Sequence, residues 1–445
     1  MKPGSYFHFA VNTIITKYKY ILALYIVIQF VFILFFPREY RNDDLYYYSL
    51  AEKCVQNNEF YPGAEHLYED YIVAPLYVNV IIVLLKIYNS HLSIGLFNIL
   101  INLIQLFFVY KITRFYFNDK TAKLSVLIYI FYLNTLGLVM LNYTELLFTL
   151  FILSSIYFYL KKTSSFLFLS GIMLGASIAV RPVGWDLAVC YLLAAIYLYL
   201  KEKKFNFDLL KLISGTFLFI ILFGTFNYGH FGKFLFTSTT GPVNLLLGAN
   251  NTATGGFNAR VYEQGNIGYI ARPDTLTYTQ KGDFYYEQAT NWIKQNPGKW
   301  LLLAPLKLIH TFGYDDISIS TIAGLGDWNI ILTIKHLTED RNFSNILPME
   351  PWYVKLIYFL LQIIHHIYYY FLILILVMWT IRQIRERNFS EFSLLHLFFF
   401  IIGMLMIVIT VGTPRYKYPF IIVMIPFISS YIQARFLSET NIERQ

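Results

Sequence analysis

Charge is scarce in this chain. Only 14% of its 445 residues are Asp, Glu, Lys or Arg, whereas 57% are hydrophobic. Soluble domains carry about 25% charged residues. A water-soluble globule is therefore excluded, because no core of this size buries so much apolar side chain, and lipid must solvate much of it. Cysteine is nearly absent. Cys54 lies in a loop and Cys190 inside an apolar run, which excludes a disulfide framework and any zinc spacing. Internal repeats, low-complexity tracts and a soluble domain are also missing. The net charge of +8 is no nucleic-acid signal, because the basic residues fall in short clusters between apolar runs.

Aromatic residues, by contrast, abound, with 41 Phe and 38 Tyr. Some Tyr mark membrane interfaces, and a base-composition bias in the gene accounts equally well for the excess. Apolar runs long enough to span a membrane are 20–36, 92–110, 122–141, 146–160, 164–180, 184–200, 209–228, 354–381, 392–411 and 416–434. The first follows Lys17 and Lys19, has no small-residue cleavage site and runs into Pro37-Arg38, so it reads as a retained anchor. Two weaker runs contain polar residues: 72–88 (Pro75, Asn79, Lys86) and 300–312 (Pro305, Lys307, His310).

The positive-inside rule decides between topologies. With both weak runs left out of the membrane, every basic hinge falls inside: Lys111/Arg114/Lys120/Lys123, Lys161/Lys162, Lys201/Lys203/Lys204, Arg382/Arg385/Arg387 and Arg435. The expected fold class is all-α: a polytopic helical bundle of about ten spans across residues 1–445, with both termini cytoplasmic. Two long loops, 37–91 and 229–353, then lie outside. The weak runs become juxtamembrane helices on that face.

Polar residues capable of chemistry collect on the outer side. The first loop opens with Arg41-Asn42-Asp43-Asp44, and Tyr47, Leu50, Ala51, Cys54 and Val55 follow at helical spacing. Asp43 and Asp44 therefore begin a helix. Asn and Asp are ordinary there, as caps and as partners of the helix dipole. A carboxylate at the bilayer edge also suits general-base work, and with eight acids against three bases, residues 37–71 suit a cation. Glu145 begins a span after Asn142-Tyr143-Thr144, and acids at such boundaries are functional candidates. Arg181, Arg415 and Lys417 are basic on the outer side, against the trend, and Lys307 sits in the second weak run. Snorkelling to lipid headgroups explains such residues, and so does binding a phosphate. The 229–260 stretch includes Gly248-Ala249-Asn250-Asn251, whose amides suit either ordinary turns or a polyhydroxylated ligand.

In this order and placement, Arg41-Asn-Asp-Asp44, Ala74-Pro75-Leu76-Tyr77, Thr144-Glu145, Arg181-Pro182, Gly248-Ala-Asn-Asn251 with Gly255, Asn296-Pro297-Gly298 and Pro414-Arg415-Tyr416 resemble the GT-C superfamily of glycosyltransferases. The resemblance is strongest to its family 39-like branch of protein O-mannosyltransferases and lipid A aminoarabinose transferases. It implies inverting transfer of a sugar from a polyprenyl-phosphate donor to a glycan, lipid or protein acceptor. The enzyme would sit in a membrane, expected to be the bacterial inner membrane, and act on the periplasmic side. The resemblance makes Asp43 or Asp44 the general base, assisted by Glu145. It places the donor phosphate on Arg181 and Arg415; by their own chemistry and outer placement, Lys417, Lys307, Asn250 and Asn251 are the further candidate substrate contacts. It allows a divalent cation on Asp44 and Glu145. The 74–77 step lacks the basic residue common before the proline in the family. A large soluble C-terminal domain is also missing, which leaves acceptor recognition to 229–353, with His310, Asp315, Asp316, Asp327 and Trp328 as candidates. The competing readings are a GT-C polymerase or ligase and a lipid-linked sugar flippase. Transporters interrupt helices with Gly and Pro inside the membrane, whereas here those residues cluster in the outer loops.

Overall fold

The computed structural model describes residues 12–36, 42–203, 207–316, 319–320, 329–339, 352–386 and 389–437. Among these there are helices and turns and no strand. The first five main helices are α1 (Tyr18–Phe35), α2 (Asn42–Gln56), α3 (Pro75–Ile87), α4 (His91–Tyr116) and α5 (Asp119–Phe131). After a bent continuation through 134–140 come α6 (Thr144–Leu160), α7 (Ser164–Val180), α8 (Gly184–Glu202) and α9 (Asp208–Phe231). The second half holds α10 (Tyr278–Gln295), α11 (Pro297–Phe312), α12 (Trp352–Glu386), α13 (Glu391–Ile409) and α14 (Tyr418–Phe436).

Each of the ten apolar runs coincides with a helix. By length and composition seven of these helices qualify as membrane spans, and an eighth is α5 with its 134–140 continuation, bent by 65°. The remaining two, α6 and α7, have 17 residues each, near the lower end of spanning lengths. The two weak runs are helical but short. With 13 residues, α3 rises about 20 Å, less than a hydrocarbon core of about 30 Å. The protein is an integral, multi-pass membrane protein.

Lipid gives no hydrophobic drive between helices, so close approach and internal hydrogen bonds set the packing. α7 and α9 meet through small residues. A Cβ on Gly171 would run into the backbone carbonyl of Leu212, and one on Gly215 into that of Phe168. α6 and α7 are tied by Ser155 and Ser170, whose hydroxyls donate to each other's carbonyls at 2.9 and 2.8 Å. Deeper in, Asn102 of α4 donates to Tyr25 and Gln29 of α1, both at 2.8 Å. Tyr129 of α5 and Tyr418 of α14 both donate to Gln105, at 3.1 and 3.0 Å.

The 229–299 stretch is more ordered than its composition suggests. Thr277 caps α10 through the Gln280 amide N–H, and the Gln280 side chain returns to the Thr277 N–H at 2.9 Å. This reciprocal cap starts a helix in polar sequence, and Tyr285, Ala289 and Trp292 bury its apolar face.

Replacing Gly171 or Gly215 with Leu forces α7 and α9 apart and should destabilise the protein by about 1–3 kcal/mol. A Cβ on Gly229, at the open end of α9, meets nothing within 4 Å, so Gly229→Ala should be neutral or stabilising. Thermal unfolding in detergent distinguishes the two kinds of site.

Candidate active site

A cavity of about 1370 Å³ opens between the start of α2, the α7–α8 turn, α13 and the turn before α14. Its polar end is made by four short segments. Asn42 begins α2 in the left-handed region (φ 53°) that Asn tolerates, and sets Asp43 and Asp44 on the first helical turn. Glu145 is the second residue of α6, Arg181 ends α7, and Arg415 lies in the short Pro414–Lys417 helical turn.

These side chains meet around Glu145, which is fully buried. Arg181 Nη1 donates to Glu145 Oε1 at 2.5 Å and to Thr144 Oγ1 at 3.2 Å. Arg415 Nε lies 3.4 Å from the same carboxylate oxygen, and Arg415 Nη2 pairs with Asp43 Oδ2. The Tyr416 ring lies 4.7 Å from the Arg181 guanidinium and the Tyr143 ring 4.7 Å from that of Arg415, so aromatic faces hold both cations. The hydrogen bonds named use Nη1 of Arg181 and Nη2 of Arg415. Both arginines line the cavity, where guanidinium nitrogens can donate to an anion.

The two adjacent aspartates differ. Asp43 is about half exposed, towards the cavity. The Arg415 charge holds its carboxyl below the usual carboxylate range, against a smaller upward push from burial. Asp44 is 1% exposed, and its Oδ1 accepts the Asn142 backbone N–H at 2.6 Å, tying α2 to the segment that leads into α6. Burial works to lower the Arg181 value, but Glu145 and Tyr416 outweigh it and leave it raised.

Lys307 and Lys417 do not line the cavity; each stabilises the end of a helix. Lys307 Nζ donates to the carbonyls of Val408 and Ile409 at 2.8 and 3.4 Å, at the C-terminus of α13. Burial lowers its value to about 8. Lys417 Nζ donates to the carbonyls of Thr311 and Tyr314 at 3.0 and 2.5 Å, at the C-terminus of α11, and pairs with Asp315 at 2.9 Å. Cations are favoured at that end of a helix, where carbonyls lack intrahelical partners. The two lysines thus staple α11 to the 408–417 turn that presents Arg415. Gly255 completes the joint: at φ +93° its carbonyl accepts the Gly412 N–H at 2.8 Å, and a Cβ there would press on Leu306 and Lys307.

Asn250 is buried and Asn251 is exposed. Asn250 donates to the Leu246 carbonyl at 2.8 Å and accepts the Thr252 N–H at 2.7 Å. Asn251 accepts the Trp292 indole N–H at 2.7 Å. Both are turn residues, and neither lines the cavity. His310 and Asp316 do line it, and Asp315 does not. Asp316 is satisfied by the Ile330 N–H at 2.8 Å and the Gln362 amide at 3.1 Å. Burial works to raise the Asp315 value, yet Lys417 and His365 outweigh it and hold it well below normal. Arg41, Asp327 and Trp328 lie outside the described residues.

Two kinds of residue escaped the sequence reading. Tyr143 and Tyr416 flank the arginines, and their only signal is adjacency to Thr144 and Arg415. Asp186 is a buried acid in the cavity wall, and at the third position of α8 it resembles any helix-start acid. Among the described residues, the group of three potential cation ligands gathered within 4.8 Å is Cys54, Glu65 and His66, not one containing Asp44 or Glu145.

The multi-span helical fold is one shared with solved structures, and part of the chain matches a family model. Residues 73–226, about a third of the chain, match the family model described as dolichyl-phosphate-mannose-protein mannosyltransferase. Two crystal structures of the Archaeoglobus fulgidus oligosaccharyltransferase resemble the chain, each with a TM-score of 0.50 and 13% identity. One is tethered to an acceptor peptide containing the NVT sequon; the match covers 94% of this chain and 49% of that one. The other is a complex with zinc and sulfate, with 95% and 51% covered. The chain thus spans about half the length of these structures. No curated protein matches it in sequence.

The Lys417–Asp315 pair is fully enclosed, with 0% and 2% of the two side chains exposed. Breaking a buried pair leaves one charge uncompensated, so Lys417→Met should destabilise by about 3–5 kcal/mol. The Lys417→Met/Asp315→Asn double variant should lose less. Thermal unfolding of the three proteins measures the difference.

Proposed function

We propose that this protein is an integral membrane glycosyltransferase that moves a sugar from a polyprenyl-phosphate donor to an acceptor hydroxyl. The observation that carries this reading is the convergence of Arg181 and Arg415 on Glu145 at one end of a cavity whose other wall is apolar, with Ile402, Met406, Ile407 and Phe420. An end that presents guanidinium N–H donors, joined to an apolar wall, fits a phosphate with a hydrocarbon tail. The matched family's description names dolichyl phosphate mannose, a donor of this chemical type.

In this reading the donor phosphate sits on the arginine pair. Asp43, exposed to the cavity, takes the acceptor's hydroxyl proton. The acceptor oxygen bonds to the anomeric carbon as the carbon–oxygen bond to phosphate breaks, and the electron pair leaves with the lipid phosphate. Arg181 and Arg415 stabilise that charge, and such preorganised electrostatics is commonly the largest catalytic contribution. Displacement from the opposite face inverts the anomeric centre. Asp44 positions Asp43 through its bond to Asn142, and Glu145 positions the guanidiniums. The Asp44 and Glu145 carboxylates suit this role better than that of cation ligands. Glu145 already faces two guanidinium charges, and a divalent ion there would be repelled by both. No step is assigned to a metal.

The active face is non-cytoplasmic in this reading. A periplasm-active reporter should be silent after Asn118 and active after Thr254, and the reverse pattern would invert the topology.

Asp43→Asn should lower transfer from a polyprenyl-phosphate sugar in membranes by roughly 100-fold or more, with Asp44→Asn less severe. Undiminished transfer in the double variant would overturn the general-base role. Consumption of a polyprenyl-diphosphate glycan instead would favour a polymerase or ligase. A chelator should leave the rate unchanged. With its value held below the ordinary 3.8, Asp43 stays ionised as pH falls from neutral to 5, so loss of the base should not limit the rate in that window. Its stabilising pairing with Arg415 is likewise complete above the ordinary value and is lost only as pH falls through the lowered one.

A further inference from the structure

The proposed chemistry leaves one buried acid of the cavity unused. Asp186 follows Arg181 by a single tight turn: the Gly184 N–H reaches the Arg181 carbonyl at 2.9 Å, and the Trp185 and Asp186 N–H groups reach Pro182 and Val183, both at 3.0 Å. That turn sets Trp185 and Asp186 in the wall of the same cavity as Arg181. Asp186 is only 5% exposed, and no hydrogen-bond donor among the described residues reaches its Oδ2. An acid on the first turn of a helix is favoured by the helix dipole, but an exposed carboxylate would serve that purpose equally. Buried carboxylates ordinarily have donors. This one faces a cavity that a ligand would fill, so the missing donor is best supplied by the ligand.

The chemistry of that donor follows from the position. No gathered group of potential cation ligands includes Asp186 among the described residues, and one carboxylate alone is a poor cation site. In a polyprenyl-phosphate sugar the ring is joined directly to the phosphate. With the phosphate on Arg181, the ring lies beside the turn that carries Trp185 and Asp186. Sugar rings offer hydroxyl donors on their edges and apolar faces to an indole.

We propose that Asp186 reads the donor sugar, its carboxylate accepting a hydrogen bond from a ring hydroxyl while Trp185 borders the ring. This rests on the reading of the cavity as a polyprenyl-phosphate-sugar site. It makes Asp186 a specificity-determining residue, distinct from the arginines that hold the phosphate.

The test uses the full chain in lipid nanodiscs. Binding is measured for bare polyprenyl phosphate and for polyprenyl-phosphate mannose, glucose, galactose and N-acetylglucosamine. The wild type should bind at least one sugar-bearing lipid more tightly than the bare lipid phosphate. Asp186→Ala should reduce that advantage by up to roughly 10-fold, as expected for one buried hydrogen bond, and leave bare lipid phosphate binding unchanged. Asp186→Asn, which keeps the size and one acceptor oxygen, should lose less, and it carries the measurement if Asp186→Ala does not fold. Deoxy donors lacking the hydroxyl concerned should bind the wild type as weakly as the intact donor binds Asp186→Ala. An unchanged advantage in both variants, or an equal loss for bare and sugar-bearing lipid, overturns the role of Asp186 and leaves the proposed function standing. A wild type that binds bare lipid phosphate but prefers no sugar-bearing form also overturns it. A wild type that binds none of these lipids overturns the proposed function itself, and this inference with it.

Discussion

Glu145 is the charge around which the polar end of this protein is organised. A fully buried carboxylate is costly to desolvate unless cations and hydrogen bonds compensate it, and here two guanidiniums do so. Those guanidiniums come from opposite parts of the chain, Arg181 from the end of α7 and Arg415 from the turn before α14. Arg415 extends the bridge to Asp43 at the start of α2. Three helix ends and one turn therefore share a single electrostatic arrangement, and moving any of them exposes an uncompensated charge.

The supporting frame follows the same economy of polar groups. In lipid, every orphan carbonyl at a helix end needs a partner inside the protein. Lys307 supplies one for α13 and Lys417 one for α11. Both lysines act on the joint that carries Arg415, so the groups that cap helices also aim the site. Close backbone approach at Gly255 and Gly412 lets α11 and the 410–413 turn meet without a side chain between them. The result is a cavity with a charged end, an apolar wall and a buried acid, Asp186, near the junction.

Much of this is legible in the sequence. The apolar runs marked the helices, because in lipid an apolar segment has almost no stable alternative to helix. The i, i+3, i+4 spacing of Tyr47, Leu50, Ala51 and Cys54 found the buried face of α2, the same residues the structure buries. The charge census singled out Arg181 and Arg415 as basic residues on the outer side, and both stand in the cavity wall. The same census could not separate them from Lys307 and Lys417, because sidedness says nothing about which way a side chain turns. The long outer loop 229–353 likewise hid α10, whose start depends on a reciprocal cap between Thr277 and Gln280 rather than on hydrophobic length.

The sequence by itself determined the class of architecture, the approximate helix boundaries and the short list of outer-side charges. Those follow from local composition, since apolar length and charge asymmetry act segment by segment. Only the tertiary structure decided which charges meet. Asp43 and Arg415 are hundreds of residues apart, and Asp43 and Asp44 are neighbours with opposite fates, one open to the cavity and one buried on the Asn142 amide. The physical reason is that ion pairs and cavities depend on distances across the bundle. Those distances are set by helix-end caps, small-residue contacts and buried polar partners far apart in the chain.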